Sequence, residues 1–149
     1  MLKALTYAPT GGIVAAPTTS LPERIGGVRN WDYRFCWLRD ATLTLVAMLH
    51  AGLHGESEAW GRWLLRAVAG DPAAVQIMYG IAGERRLDER ELDWLPGYQG
   101  SRPVRVGNAA STQLQLDVYG ELLDAVYQSR LHGVRLDTNV WSLMRKLLD

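Results

Sequence analysis

The chain has 149 residues, enough for one domain, and 16 Lys+Arg balance 16 Asp+Glu to a formal net charge of zero, which excludes an electrostatic nucleic-acid binder that needs a basic excess. Its single cysteine, Cys36, excludes an internal disulfide and a cysteine-rich zinc site, and 48% apolar against 21% charged residues places it with globular rather than disordered chains. No apolar run approaches the ~18 residues of a membrane span, and the charged-then-apolar N-terminus is too short for a secretory signal, so a reduced, cytoplasmic protein is expected.

Residues 8–30 hold Pro9, Gly11, Gly12, Pro17, Pro22, Gly26 and Gly27 and are expected to form a long functional loop. A helix is predicted over 41–49, with Asp40 as N-cap and Gly52 as stop; it is apolar nearly all round and should be covered on every side. In the next helix Trp60, Trp63, Leu64, Ala67 and Val68 recur at i, i+3, i+4, i+7 and i+8, a one-sided stripe that Gly70 ends. Asp71-Pro72 then reads as the start of a short helix. Residues 80–108 are irregular and rich in glycine. A long helix is predicted from near Asn108 to about Arg130, roughly 33 Å at ~1.5 Å per residue, with Leu114, Val118, Leu122 and Val126 in one row and Gly133 as the break. Asp137 caps a last helix striped by Val140, Trp141, Met144, Leu147 and Leu148. No stretch alternates with period two over a convincing length, so the fold class is all-α. A buried helix beside a one-sided one suggests inner and outer layers.

The densest group of chemical residues is Asn30-Trp31-Asp32-Tyr33-Arg34-Phe35-Cys36-Trp37-Leu38-Arg39-Asp40. An Arg-Asp pair offers guanidinium donors beside a carboxylate acceptor, which suits two neighbouring sugar hydroxyls. Trp31, Tyr33 and Trp37 add flat apolar faces for the C–H side of a pyranose. The same residues read equally well as a capping aspartate, a structural ion pair and core aromatics. The loop 96–108 leads into a helix and reads as either a functional loop or a surface connection. Gln113, Asp117 and Glu121, with Asp124 one turn on, fall on one helical face, while Gln115 projects from another edge. That polar row is a general-acid candidate or a solvated face. His50 and His54 have metal-ligand spacing, yet no third ligand is evident, so neither a metal nor another cofactor is expected. Cys36 reads as a buried, inert thiol.

Several stretches, in order, resemble the start of the catalytic domain of glycoside hydrolase family 15, which includes glucoamylases, glucodextranases and bacterial trehalases. They are 7–23, Asn30-Trp31-Asp32-Tyr33-Arg34, Trp37-Leu38-Arg39-Asp40, Gln76-Ile77-Met78-Tyr79-Gly80-Ile81, the 97–108 loop and Gln115-Leu116-Asp117-Val118-Tyr119-Gly120-Glu121. The resemblance implies a partial (α/α)6 toroid, about five helices of its inner and outer layers, with residues 1–149 as the N-terminal part of one catalytic domain. It implies that Trp37 packs on the non-reducing glucose of an α-linked glucoside, maltodextrin or trehalose, and that Arg39 and Asp40 bond its hydroxyls. Tyr33, Gln115 and Asp117 would border the pocket. The family inverts with two glutamates, whose carboxyls stand roughly 6.5–9.5 Å apart. No glutamate of this chain matches either by motif, so the chain is expected to hold part of the subsite, to lack catalysis alone, and to self-associate through open helix faces. The rival expectation is a stand-alone helical carbohydrate-binding or protein-interaction module.

Overall fold

The computed structural model describes residues 2–68, 74–135 and 138–148. Within them run four α-helices: α1 (Leu38–His50), α2 (His54–Val68), α3 (Asp117–Leu131) and α4 (Thr138–Leu148). Six two-residue strands form three antiparallel ladders. They are β1–β2 (Thr6–Tyr7 with Gly12–Ile13), β3–β4 (Cys36–Trp37 with Met78–Tyr79) and β5–β6 (Arg90–Glu91 with Arg105–Val106). The fold is thus mostly helical but not purely so. Ladders of two residues are too short to impose an alternating pattern, which is why none was legible. The predicted stop at Gly70, the short helix at Asp71-Pro72, the Asp137 cap and the side chain of Leu148 lie outside the described residues.

Helix α1 packs most extensively on α3 and also on α2, and α2 packs on α4. Helix α1 thus touches both α3 and α2, and α2 touches both α1 and α4. The stripe on α2 is buried throughout, Trp60, Trp63, Leu64, Ala67 and Val68 all entering one core with Leu45, Leu49, Tyr79 and Leu122. Among the described residues the helices close no ring, and none is long and apolar enough to cross a membrane.

Three expectations need correcting. Helix α1 starts at Leu38, not after Asp40, because Trp37 pairs with Met78 and the Leu38 amide donates to the Ile77 carbonyl at 2.9 Å. Strand pairing fixes the first turn, and Asp40 sits inside it, where a carboxylate still complements the positive end of the helix. Nor is α1 covered all round: Leu43 is 63% exposed, and Ala47 is exposed beside it. The predicted long helix is broken as well. Ala109–Thr112 form a 3₁₀ turn capped by the Asn108 side chain, Gln113 is extended, and α3 begins only at Asp117. Thr112 donates its hydroxyl to the Ala109 carbonyl at 3.1 Å, the local side-chain bond that competes with helix propagation. Fifteen residues make α3 about 22 Å long.

Of the three predicted glycine stops, the two within the described residues, Gly52 and Gly133, hold. After α1, Gly52 (φ +77°) donates to Leu49 O and Leu53 donates to Met48 O. After α3, Gly133 (φ +77°) and Val134 repeat the pair onto Arg130 O and Ser129 O. Only a residue free of a Cβ takes this left-handed step cheaply. The 8–30 stretch is not structureless. Its residues 15–20 lie antiparallel to 31–35 through Ala15 N to Phe35 O, Ala16 N to Tyr33 O and Ser20 N to Trp31 O, each 2.9 Å.

Cys36 is fully buried, and burial pushes its thiol up to about 12. The folded chain should therefore be inert to a thiol reagent such as Ellman's at pH 8 and react only after denaturant is added. Because the folded pKa lies above the ordinary 9.0, this thiol's contribution to stability is complete below pH 9 and lost as pH rises toward 12.

Candidate functional site

The first half of the aromatic-charged segment is an anchor. The Asp32 carboxylate is fully buried. Its Oδ1 accepts from the Arg34 amide and Nε at 3.1 and 2.9 Å, and its Oδ2 from Arg34 Nη2 at 2.8 Å and the Gly107 amide at 3.2 Å. Its backbone carbonyl accepts from Asn108 Nδ2 at 3.0 Å. The hydrogen bond to Asp32 also raises the Arg34 pKa above the usual guanidinium value. Asn30, equally buried, donates to the Gly27 and Pro103 carbonyls. Between them these two residues tie the 97–108 loop to the start of the site.

Arg105, within that loop, completes the tie through long-range contacts that no local pattern announces. Its guanidinium stacks over Trp31 at 4.5 Å, reaches Glu91 at 2.9 Å and Glu89 at 3.4 Å, and bonds the Val28 carbonyl. Ser20, with φ +55°, accepts from the Arg105 amide and donates to its carbonyl. These partners stand 77 and 85 residues away in sequence, beyond any local pattern. Trp31 thus has one face of its ring taken by Arg105.

The second half of the segment carries the candidate site. Arg39, in the first turn of α1, donates from Nη1 to Asp117 Oδ2 at 3.0 Å, where Asp117 is the first residue of α3. Asp40 Oδ2 stands 3.9 Å from Arg39 Nε, too far for a hydrogen bond. All three side chains are close to half exposed. An ion pair this wet contributes at most about 1 kcal/mol, so stability does not explain the cluster. What it offers is chemical: guanidinium donors left over beside two carboxylates with open acceptor sites, at the converging N-termini of two helices. Trp37, one residue before α1, is half-buried, and its indole N–H has no partner.

The remaining candidates are less tightly gathered. Tyr33 is 37% exposed on the strand-like segment before α1. Gln115 lies in the extended link before α3 and donates to Gln113 Oε1 at 3.1 Å. Among the described residues no hydrogen bond or ring contact joins Tyr33, Trp37 or Gln115 to Arg39. Gln113 falls off the helix, so the four-residue polar row does not exist as one face. A cavity of about 290 Å³ lies between α2, α3 and α4, lined by Trp60, Leu64, Val126, Ser129 and Val140 among others, and none of the six candidates borders it. The candidate site is instead an open surface at the helix ends.

The model of the family described as Glycosyl hydrolases family 15 matches residues 1–149. Among curated proteins, the trehalase of Mycolicibacterium smegmatis is 43% identical over 151 residues, covering 99% of this chain and 23% of the relative. The trehalase of Thermoplasma volcanium is 40% identical over 147 residues, again 99% of this chain and 23% of its own length. Trehalase 1 of Sulfolobus acidocaldarius is 45% identical over 130 residues, or 86% of this chain and 23% of the relative. The chain thus spans about a quarter of the length of the relatives it matches. No solved structure matches it.

Proposed function

The chain belongs to glycosyl hydrolases family 15, and from that premise we propose that its α1–α3 helix ends form part of the subsite that holds the non-reducing glucose of an α-glucoside, trehalose in the first instance. The contact of Arg39 with Asp117 across 78 residues of sequence carries this reading. It brings the two family-like motifs, Trp37-Leu38-Arg39-Asp40 and Gln115-Leu116-Asp117, to one place. Arg39 donates to one sugar hydroxyl while Asp40 and Asp117 accept from its neighbours. Trp37 presents its ring to the C–H face, while its indole N–H is buried and makes no contact with the sugar. Tyr33 and Gln115 form the border.

The hairpins α1–α2 and α3–α4 are read as two inner-outer pairs of an (α/α)6 toroid. The exposed Leu43 of α1 and Tyr127 and Leu131 of α3 mark faces open to further helices, and in the isolated chain to self-association. Inverting hydrolysis needs an acid and a base on opposite sides of the scissile bond. No glutamate of this chain is given either role; both belong to the rest of a protein of the relatives' length.

The test is binding and turnover measured together on this chain. Saturation-transfer NMR should detect trehalose in preference to maltose and isomaltose, without glucose release from any of them. Arg39→Ala should abolish the signal, and Asp40→Asn or Asp117→Asn should weaken it about tenfold, as expected for one charged hydrogen bond. Affinity unchanged in Arg39→Ala would make the cluster structural, and turnover by this chain alone would overturn the assignment of catalysis elsewhere.

A further inference from the structure

The histidine pair suggested by spacing does not form; a different one does. His54 opens α2 beyond the Gly52 turn, while His50, the last residue of α1, meets His132, the C-cap of α3. The ring centres of His50 and His132 are 4.9 Å apart with their planes at 70°. Each Nδ1 lies against the carbonyl oxygen four residues earlier, His50 on Val46 at 2.8 Å and His132 on Gln128 at 2.9 Å. A carbonyl can only accept, so both Nδ1 atoms carry the proton. In the neutral rings this leaves each Nε2 as a bare lone pair. A histidine held through Nδ1–H by a backbone carbonyl, with Nε2 free, is the form that ligates metals.

The spacing fits the same chemistry. With Zn–N bonds of about 2.1 Å, two imidazoles on one tetrahedral ion hold their ring centres about 5 Å apart. The charge fits too. Both α1 and α3 end here, and each helix C-terminus carries about half a negative elementary charge that favours a cation.

We propose that His50 and His132 bind one divalent transition ion of the Zn²⁺, Ni²⁺ or Cu²⁺ class through their Nε2 atoms. Imidazole ligands suit these ions, whereas Mg²⁺ and Ca²⁺ prefer oxygen. Among the described residues no cluster of three or more His, Cys, Asp or Glu could hold a metal, so water fills the other positions and the ion exchanges readily. His50 is exposed and His132 half-buried, which leaves the ion accessible. Bound there, it clips α1 to α3 at the end opposite Arg39–Asp117, and its affinity for the folded chain adds to stability. The inference is independent of the sugar site.

Calorimetric titration of the chelator-treated full chain with Zn²⁺ tests it. Expected is one Zn²⁺ per chain at micromolar affinity, at least about tenfold weaker in His50→Ala and in His132→Ala, and unchanged in His54→Ala. With Cu²⁺, paramagnetic resonance should show two imidazole nitrogens, falling to one in either variant. His50→Asn and His132→Asn, whose side-chain N–H stands where Nδ1–H stood and keeps a donor for the i−4 carbonyl, replace any alanine variant that loses its helical circular dichroism. No saturable Zn²⁺ binding by the parent chain, or binding that survives both substitutions, overturns the proposal.

Discussion

Replacing Trp63 by alanine is expected to destabilise the chain by about 3–5 kcal/mol. Trp63 is fully buried in the middle of α2. Its ring meets Tyr79 edge-on at 6.0 Å, and its indole N–H donates to the Ile81 carbonyl at 3.0 Å. Removing the indole opens a cavity among Trp60, Tyr79 and the β1–β2 turn, where a Cβ on Gly12 would already stand 3.1 Å from Trp63 Nε1. The lost hydrogen bond matters less than the cavity, because Thr10 Oγ1 also donates to Ile81 O at 2.7 Å and keeps that acceptor satisfied. Natural domains hold roughly 5–15 kcal/mol in total, so this one change removes a large share of it. Urea unfolding followed by circular dichroism measures the loss. Trp141, 47% exposed and touched on one side by the Arg130 guanidinium at 5.7 Å, is the control; its alanine variant should cost about 1 kcal/mol or less. Equal midpoints for the two variants would refute the placement of the core.

Asp32→Ala is the second large effect, about 3 kcal/mol. Four donors lose their acceptor at once, among them the buried Gly107 amide, which water cannot reach without loosening the 97–108 loop. The Arg34 side chain is 44% exposed and can turn to solvent, so the loss stays at the lower end for a broken buried pair. Asp32→Asn keeps one acceptor oxygen and should cost less. Asp40, eight residues on in the same motif, gives the contrast. Half exposed and without a hydrogen bond among the described residues, it should change the unfolding free energy by no more than about 0.5 kcal/mol when replaced. Comparable destabilisation from Asp32→Ala and Asp40→Ala would contradict the division between anchor and site. High salt should not abolish the Asp32 effect, because a pair this buried is poorly screened.

The sequence displayed both aspartates in one dense motif and could not say which was buried. Nothing local separates them; Asp32 is buried because Gly107 and Asn108 arrive from 75 and 76 residues away. The uncovered face of α1 has a similar origin. An all-round apolar run predicts a neighbour on every side, but among the described residues α2, α3, β3 and the N-terminal turn at Leu2–Leu5 leave one face of α1 uncovered, so Leu43 and Ala47 stay exposed.

By itself the sequence determined what short-range physics controls. The i, i+3, i+4 stripe made α2 amphipathic, Gly52 and Gly133 ended α1 and α3, and the ordered motifs pointed to the family. Tertiary structure decided what depends on distant segments meeting. The β3–β4 pairing set the start of α1, and the packing of α1 on α3 brought Arg39 to Asp117 and His50 to His132. A helical period reports which face of a helix is buried. It carries no information about which residue, some 80 positions away, lies opposite, because that is set by the register in which two helices pack.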